Sequence, residues 1–397
     1  MLKPIIALRD VFPKNAAFMS RTNLHETRML GFKEVQLDSV TAYFFGVMNG
    51  LSTVRHVAAK SGSAEFFEHA GIEINEDTRY YETEEEAEAH ADALIKEAKK
   101  FFWPYPLPQG RYPESAQIIT SDLYRTLNSK ANLGMMVDSE FLPQRKLLSL
   151  EELADFETKY PVVLKAAGDA ATGWGFAVHF CESRAELTKA KDWMYQQGSS
   201  VPLVVVEEKI ALKNCWCAGI AVSATKTECF GGAEQIFSAP GRQAGNLIDS
   251  ENAFPQAARR IVAQIGEKAR ELGFCGIAGV DIGLAENGRF YVFDLNFRFN
   301  ASSTQLLFHE SAVKQSGFPV SHSIQVEVQA SLDELQSRIF PLIDEGRFVP
   351  SRFFNGDRHA ASCGIHIING FVYGADRQEV MHVLEDCHSR IKGKQRI

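Results

Sequence analysis

No run of about 18 apolar residues occurs in this chain of 397 residues, so no helix of it is expected to span a membrane. Charge of one sign is not concentrated either. Against 42 basic side chains stand 50 acidic ones, a net charge of −8 with a pI near 5.8, and there is no basic block of the kind that holds nucleic acid. Cysteine is sparse, seven in all and odd in number. Cys215-x-Cys217 has no second cysteine or histidine pair at zinc spacing, so the thiols read as reduced and a cytoplasmic location is expected. The opening MLKPIIALRDVFPKN has too short an apolar stretch, broken by charge, to read as a cleavable signal. A Gly-x-Ser-x-Gly elbow, a Walker A loop and a dinucleotide fingerprint are also missing. What is there is an ordinary mix, 45 % apolar and 23 % charged residues, in a chain long enough for two to three domains of about 150 residues.

The organisation follows from prolines and periodicity. Pro104, Pro106, Pro108 and Pro113 in WPYPLPQGRYP mark a linker at about 103–113, because proline removes donors and fixes an extended path. Residues 1–117 read as an α/β domain, with strands expected from Pro4 to Leu8 and from Thr41 to Val47. A helix is expected from Glu84 to Phe102: it starts acidic, ends in Lys99-Lys100, and carries Ala87, Ala91, Leu94, Ala98 and Phe101 as an apolar stripe. Residues 118–320 alternate short β-runs (Pro161 to Lys165, Phe176 to Phe180, Leu203 to Glu207) with helices from Ser183 to Gln197 and from Pro255 to Leu272, the latter stopped by Gly273. Residues 321–397 read as a small α+β subdomain, with helices from Ser331 to Glu345 and from Gln378 to Lys392 flanking GIHIINGFVYG.

The richest stretch is GVDIGLAENGRFYVFDLNFRFN. Asn287-Gly288 between β-rich runs is a hairpin signal. A two-residue turn there sets Glu286 against Arg289 and brings Asp281 directly opposite Asp294, with Cβ atoms about 5 Å apart. Period-two alternation projects Asp294, Asn296 and Arg298 together and leaves Phe293, Leu295 and Phe297 to a core face. Two facing carboxylates repel unless something compensates. Hard oxygen ligands of this kind suit Mg²⁺ held with substrate phosphates, and the arginine suits a phosphate or carboxylate beside it. A solvated hairpin face is the plain alternative.

Other candidates are weaker alone. PVVLKAAGDAATGWG is a β-run ending in Lys165, followed by Gly168, Gly173 and Gly175; such a loop lets backbone N–H groups approach an anion, although a plain turn explains it equally well. Trp174 at its tip could cap a ligand or pack inward. Glu207-Glu208 after a strand reads equally as an exposed hinge. Arg242 in APGRQAGNLI could sit on a loop facing a substrate carboxylate, or on the surface. His309-Glu310, on an expected helix, reads as capping or packing rather than as a general base.

Taken in order, Lys130, Lys165 with its glycines, Glu207-Glu208 and Asp294-x-Asn296-x-Arg298 resemble the ATP-grasp superfamily over roughly residues 118–307. The resemblance implies a nucleotide between two α+β subdomains, with the glycine loop as a lid. Lys130 and Lys165 look like its ATP-contacting lysines and Glu207 or Glu208 like its hinge acid near adenine or ribose. Asp281, Asp294 and Asn296 look like its Mg²⁺ (or Mn²⁺) ligands and Arg298 like its phosphate-side arginine. Where the superfamily's biotin-dependent carboxylases continue into Gln-x-Glu-His, this chain has Phe299-Asn300-Ala301-Ser302, so carboxylase chemistry is not expected. The layout resembles stand-alone ligases that couple a small carboxylate to an amine, an amino acid or peptide among them, through an acyl phosphate. A homodimer is what the superfamily implies. The rival readings are a phosphotransferase or acyl-phosphate-forming member with a non-amine acceptor, and a nucleotide-binding regulator without turnover.

Overall fold

A computed structural model describes residues 1–20, 34–60, 62–104, 110–167, 177–198, 201–239, 241–250, 252–300 and 302–393. Three sheets organise these residues. The first is parallel, in the order β3-β2-β1-β4, from β1 (Ala16–Met19), β2 (Ser52–His56), β3 (Asp77–Tyr81) and β4 (Lys100–Phe102). The helices α1 (Glu34–Val40), α2 (Ser63–His69) and α3 (Glu84–Lys96) belong to the same region. The second is antiparallel, β5-β8-β6-β7, from β5 (Arg145–Ser149), β6 (Val162–Ala167), β7 (Val178–Cys181) and β8 (Leu203–Glu208). It follows α4 (Ser121–Asn128), and α5 (Arg184–Gln197) packs on it through Leu187, Ala190 and Met194.

The third sheet has eight strands in the order β13-β12-β9-β10-β11-β14-β16-β15. Its members are β9 (Leu212–Val222), β10 (Thr227–Ala239), β11 (Arg242–Asp249), β12 (Gly276–Ala285), β13 (Phe290–Asn296), β14 (Val320–Val328), β15 (Phe348–Phe354) and β16 (His366–Gly374). Under one face lies α6 (Gln256–Glu271), whose Ile261, Val262 and Ile265 join Trp216, Ala218, Val280, Ile282, Val292 and Leu295 in one core. The opposite face packs Ala221, Ala233, Ile277 and Phe371 against Phe18, Phe44 and Phe102 of the N-terminal region and Leu307 of α7 (Ser303–Ser316). Beyond it, α8 (Leu332–Asp344) and α9 (Arg377–Lys392) cover the last three strands.

Several expectations are corrected. Residues 41–47 are a buried loop rather than a strand. The Arg55 guanidinium, ion-paired to Glu76 at 2.8 Å, donates to the carbonyls of Thr41 and Tyr43 that a ladder would otherwise use. Residues 4–8 contribute no strand; Leu2 makes an isolated bridge to Ile72 and a helical turn begins at Leu8. The helix expected to reach Phe102 stops at Lys96, because Ala98 turns left-handed at φ +59° and Lys100–Phe102 then pairs with β1. At the proline-rich segment the described ends pack inward, with Trp103 and Tyr112 ring centroids 5.3 Å apart. The long strands β9 to β11 went unforeseen, since glycines dilute their β-pattern. At Gly219 the reason for glycine is contact: a Cβ would lie 2.3 Å from the Phe230 ring.

Candidate active site

The acid hairpin pairs Asp281 with Asp294, Val280 with Leu295 and Gly279 with Asn296. It reaches that register by two departures that cancel. Near the turn the pairing is Leu284 with Phe290, one residue out of step with a two-residue turn, and Gly288 sits at φ +82° as the left-handed residue of a longer loop. A bulge between Ile282 and Asp281 then leaves Phe293 as an extra residue and restores the acid pairing. Phe293 is therefore not a core residue, as simple alternation had it. Its ring lies near Gly283 and the Lys165 ammonium, 5.7 Å from the ring centroid, while Val292 and Leu295 stay in the core.

Around this pair the cations converge. Lys130, in a turn after α4, ion-pairs with Asp294, and Lys165 on β6 donates to the Phe293 carbonyl at 2.9 Å. Arg298 donates to Asn128 Oδ1 at 3.1 Å, and the same oxygen accepts the Phe297 N–H at 2.9 Å. Burial works to raise Asp294, but Lys130, Lys165 and Arg298 outweigh it and hold the carboxyl below its ordinary range. Asp281 goes the other way. Burial first, and the Asp294 charge second, push it up to about 6, and it accepts a 2.8 Å hydrogen bond from Gln235 Nε2. Asn296 lies half-buried two residues beyond Asp294 on the same face.

Glu207, only 2 % exposed, meets Lys165 Nζ at 2.5 Å and Arg145 Nη2 at 3.8 Å. It is a buried counter-charge rather than an exposed hinge. Glu208 is half-buried and accepts the Gln144 N–H at 2.8 Å. Arg145 also donates to the Lys130 carbonyl at 2.5 Å, and burial lowers its pKa. Its Nη1 and the Glu207 Oε1, on paired positions of β5 and β8, are buried without hydrogen-bond partners, so this face of the sheet presents an unmet donor beside an unmet acceptor.

Arg242 is not brought to this cluster. It is exposed at the start of β11, about 13 Å along the hairpin from Gln235, and the neighbouring Gly241 lies against Phe180 of β7. Gly168, Gly173, Gly175 and Trp174 lie outside the described residues. His309 is buried between Ser250 and Ser321, with its pKa pushed down to about 4 by burial, which fits packing rather than base chemistry. Sequence reasoning missed Arg145, Gln235 and Asn128, which carry no motif of their own. Burial raises the Cys217 thiol, opposite Asp281, so it stays protonated beside Asn300.

A second polar cluster groups Asp38, His56 and His359, whose ligand atoms lie within 4.8 Å of one another. His56 Nδ1 accepts the Ala58 N–H at 3.1 Å, which puts the ring proton on Nε2, and Asp38 accepts from Tyr81 at 2.6 Å and meets His359 at 3.2 Å. These bonds tie the three side chains into one hydrogen-bonded network.

Comparison with known proteins follows the same lines. A sequence profile described as "L-aspartate–L-methionine ligase, ATP grasp" matches residues 143–296, and one for the N-terminal domain of the same ligase matches residues 7–125. An N5-carboxyaminoimidazole ribonucleotide synthetase solved with ADP is similar over 98 % of each chain at 12 % identity, with a TM-score of 0.57. The L-amino acid ligase from Bacillus licheniformis is similar over 94 % of this chain and 96 % of its own, at 14 % identity and a TM-score of 0.51. Biotin carboxylase from Campylobacter jejuni gives 94 % and 91 %, 12 % identity and 0.53. At such identities the likeness is one of fold.

Proposed function

This chain belongs to the family of ATP-grasp L-aspartate–L-methionine ligases, ATP-dependent enzymes that form a C–N bond, and we propose that it joins L-aspartate as carboxylate to L-methionine as amine through an acyl phosphate. The observation that carries this reading is the facing pair Asp281 and Asp294, with Lys130, Lys165 and Arg298 turned toward it. A cluster of this composition suits a triphosphate and a hard cation. The donor set fits Mg²⁺: two half-buried carboxylates and an amide oxygen, with Asp281 held at a raised pKa that a divalent cation would relieve. Asp281, Asp294 and Asn296 would hold that ion, which would supply charge neutralisation for the phosphates. Lys165 and Arg145, set by Glu207, would face the nucleotide, and the unmet Arg145 Nη1 and Glu207 Oε1 offer it a donor and an acceptor.

In the first step a carboxylate oxygen of the donor attacks the γ-phosphorus of ATP, the bond to the β-phosphate oxygen breaks, and ADP leaves. Lys130 and Arg298 hold the charge that spreads over the transferred group. In the second, the amine nitrogen attacks the acyl carbon, phosphate leaves with its bridging oxygen, and the nitrogen loses a proton. Both steps ask the protein for position and charge rather than for a covalent nucleophile. The test is the full chain with ATP, Mg²⁺, L-aspartate and L-methionine. Aspartyl-methionine with ADP and phosphate is expected; AMP and pyrophosphate, or ADP formation without a peptide, would contradict the reading.

A further inference from the structure

Among the described residues, Arg352 is a buried charge with no opposite charge beside it. It is 5 % exposed on β15, and every acceptor it meets is neutral. Nε and Nη2 donate to Asn369 Oδ1 at 2.9 and 2.6 Å, Nη2 also to Gln325 Oε1 at 3.4 Å, and Nη1 to Ser39 Oγ at 3.2 Å. The guanidinium stacks over Tyr43 at 4.3 Å. The other buried cations follow the usual rule: Arg55 has Glu76, and Lys165 has Glu207. Asp38, next to Ser39 in the chain, gives its oxygens to Tyr81 and His359.

The place is not sealed. Gln325 is exposed, and Asn369 and Tyr43 are half-buried, so the cluster opens on one side. A chain of ring contacts also links it to the segment that follows the acid hairpin. Tyr43 and Phe44 have ring centroids 5.7 Å apart, and Phe44, held at φ +70°, lies 4.0 Å from Phe299, the residue after Arg298. A left-handed aromatic residue is strained, and strain of this kind persists where a loop must be held in one position. Along these rings the guanidinium is at most about 14 Å from Phe299, roughly four extended residues.

We propose that Arg352 is a substrate-binding residue whose missing counter-ion is a carboxylate of an amino-acid substrate that does not react. This rests on the ligase reading above and assigns it a subsite. Two sources share that chemistry, the α-carboxylate of the amine substrate and the second carboxylate of the donor. A planar arginine held flat against Tyr43, among neutral acceptors only, suits a carboxylate from either source.

The experiment compares wild type with Arg352→Gln and Asn369→Asp, the second of which supplies an internal carboxylate within reach of the guanidinium. Either change is expected to raise one amino acid's KM about ten- to a hundredfold, with the KM for ATP unmoved. A rise for L-methionine that disappears with methioninamide places the amine substrate's carboxylate there. A rise for L-aspartate, repeated when hydroxylamine replaces the amine, places the donor's. The melting-temperature increase given by each amino acid with a non-hydrolysable ATP analogue reads binding without turnover. Its loss in both variants upholds the subsite even if wild type forms no dipeptide, a result that would count against the ligase reading alone. If Asn369→Asp folds as wild type and changes neither KM nor that increase, the proposal is wrong.

Discussion

Asp281 is pushed up to about 6 by its burial and by Asp294 opposite, against an ordinary value of 3.8, so its ionised form weakens the folded protein at neutral pH. Between pH 4 and 6, roughly, the native state holds a proton that the unfolded chain has lost, and stability falls as pH rises; above about 6 the cost is complete, on the order of 3 kcal/mol. Asp294 has the opposite sign, and its contribution fades as pH falls. Asp281→Asn keeps an oxygen for Gln235 and removes the charge. In metal-free buffer at pH 7.5 it should melt above wild type, with the gap closing by about pH 4, while ATP turnover is lost. Calorimetry across that range checks it, and an equal gap at both ends would contradict it. Glu207 makes the converse case. Glu207→Gln leaves Lys165 and Arg145 buried without their counter-charge, and a loss of about 3–5 kcal/mol is expected in urea unfolding. The double variant with Lys165→Met should lose less than the sum of the two singles.

The acid hairpin shows what a sequence discloses of an element and what it withholds. Asp281 facing Asp294 follows from Asn287-Gly288 and strand pairing, yet the turn is a residue longer than the simplest one and the bulge at Phe293 restores the register. Nothing in FYVFDLN announces the bulge, because Phe293 suits a core face as well as a site face. Arg145, Gln235 and Asn128 were illegible for a related reason: each acts through a partner far along the chain, such as Gln235 through Asp281. Helices read better, since α3, α5, α6, α8 and α9 carry caps, stripes and stops of their own. Residues 41–47 read as strand because the carbonyl-binding Arg55 is invisible to local pattern. The bulge also makes a prediction. Deleting Phe293 leaves an unbroken ladder in which Asp281 still meets Asp294, so Mg²⁺ dependence should persist. Lys165 loses its ring and its carbonyl partner, so the KM for ATP should rise about tenfold. Loss of Mg²⁺ dependence would show that the bulge, and not the pairing, holds the acids.

At the scale of the molecule, one sheet carries the acid hairpin at one end and Arg352 at the other, with the N-terminal region packed on the face between them. β14 to β16 therefore complete the sheet that holds the acids, and Arg377 of α9 ties them back through Asp249 and Glu234 at 2.7 Å each. Such a frame can hold nucleotide, donor and amine together only if the chemistry links them in a fixed order. The transfer of an oxygen atom reports that order directly. With both oxygens of the donor's reacting carboxylate labelled as ¹⁸O, an acyl phosphate sends one labelled oxygen into inorganic phosphate for each amide formed. Mass spectrometry of the phosphate should find that label at one atom per peptide. Unlabelled phosphate, or label recovered in AMP, would contradict the account.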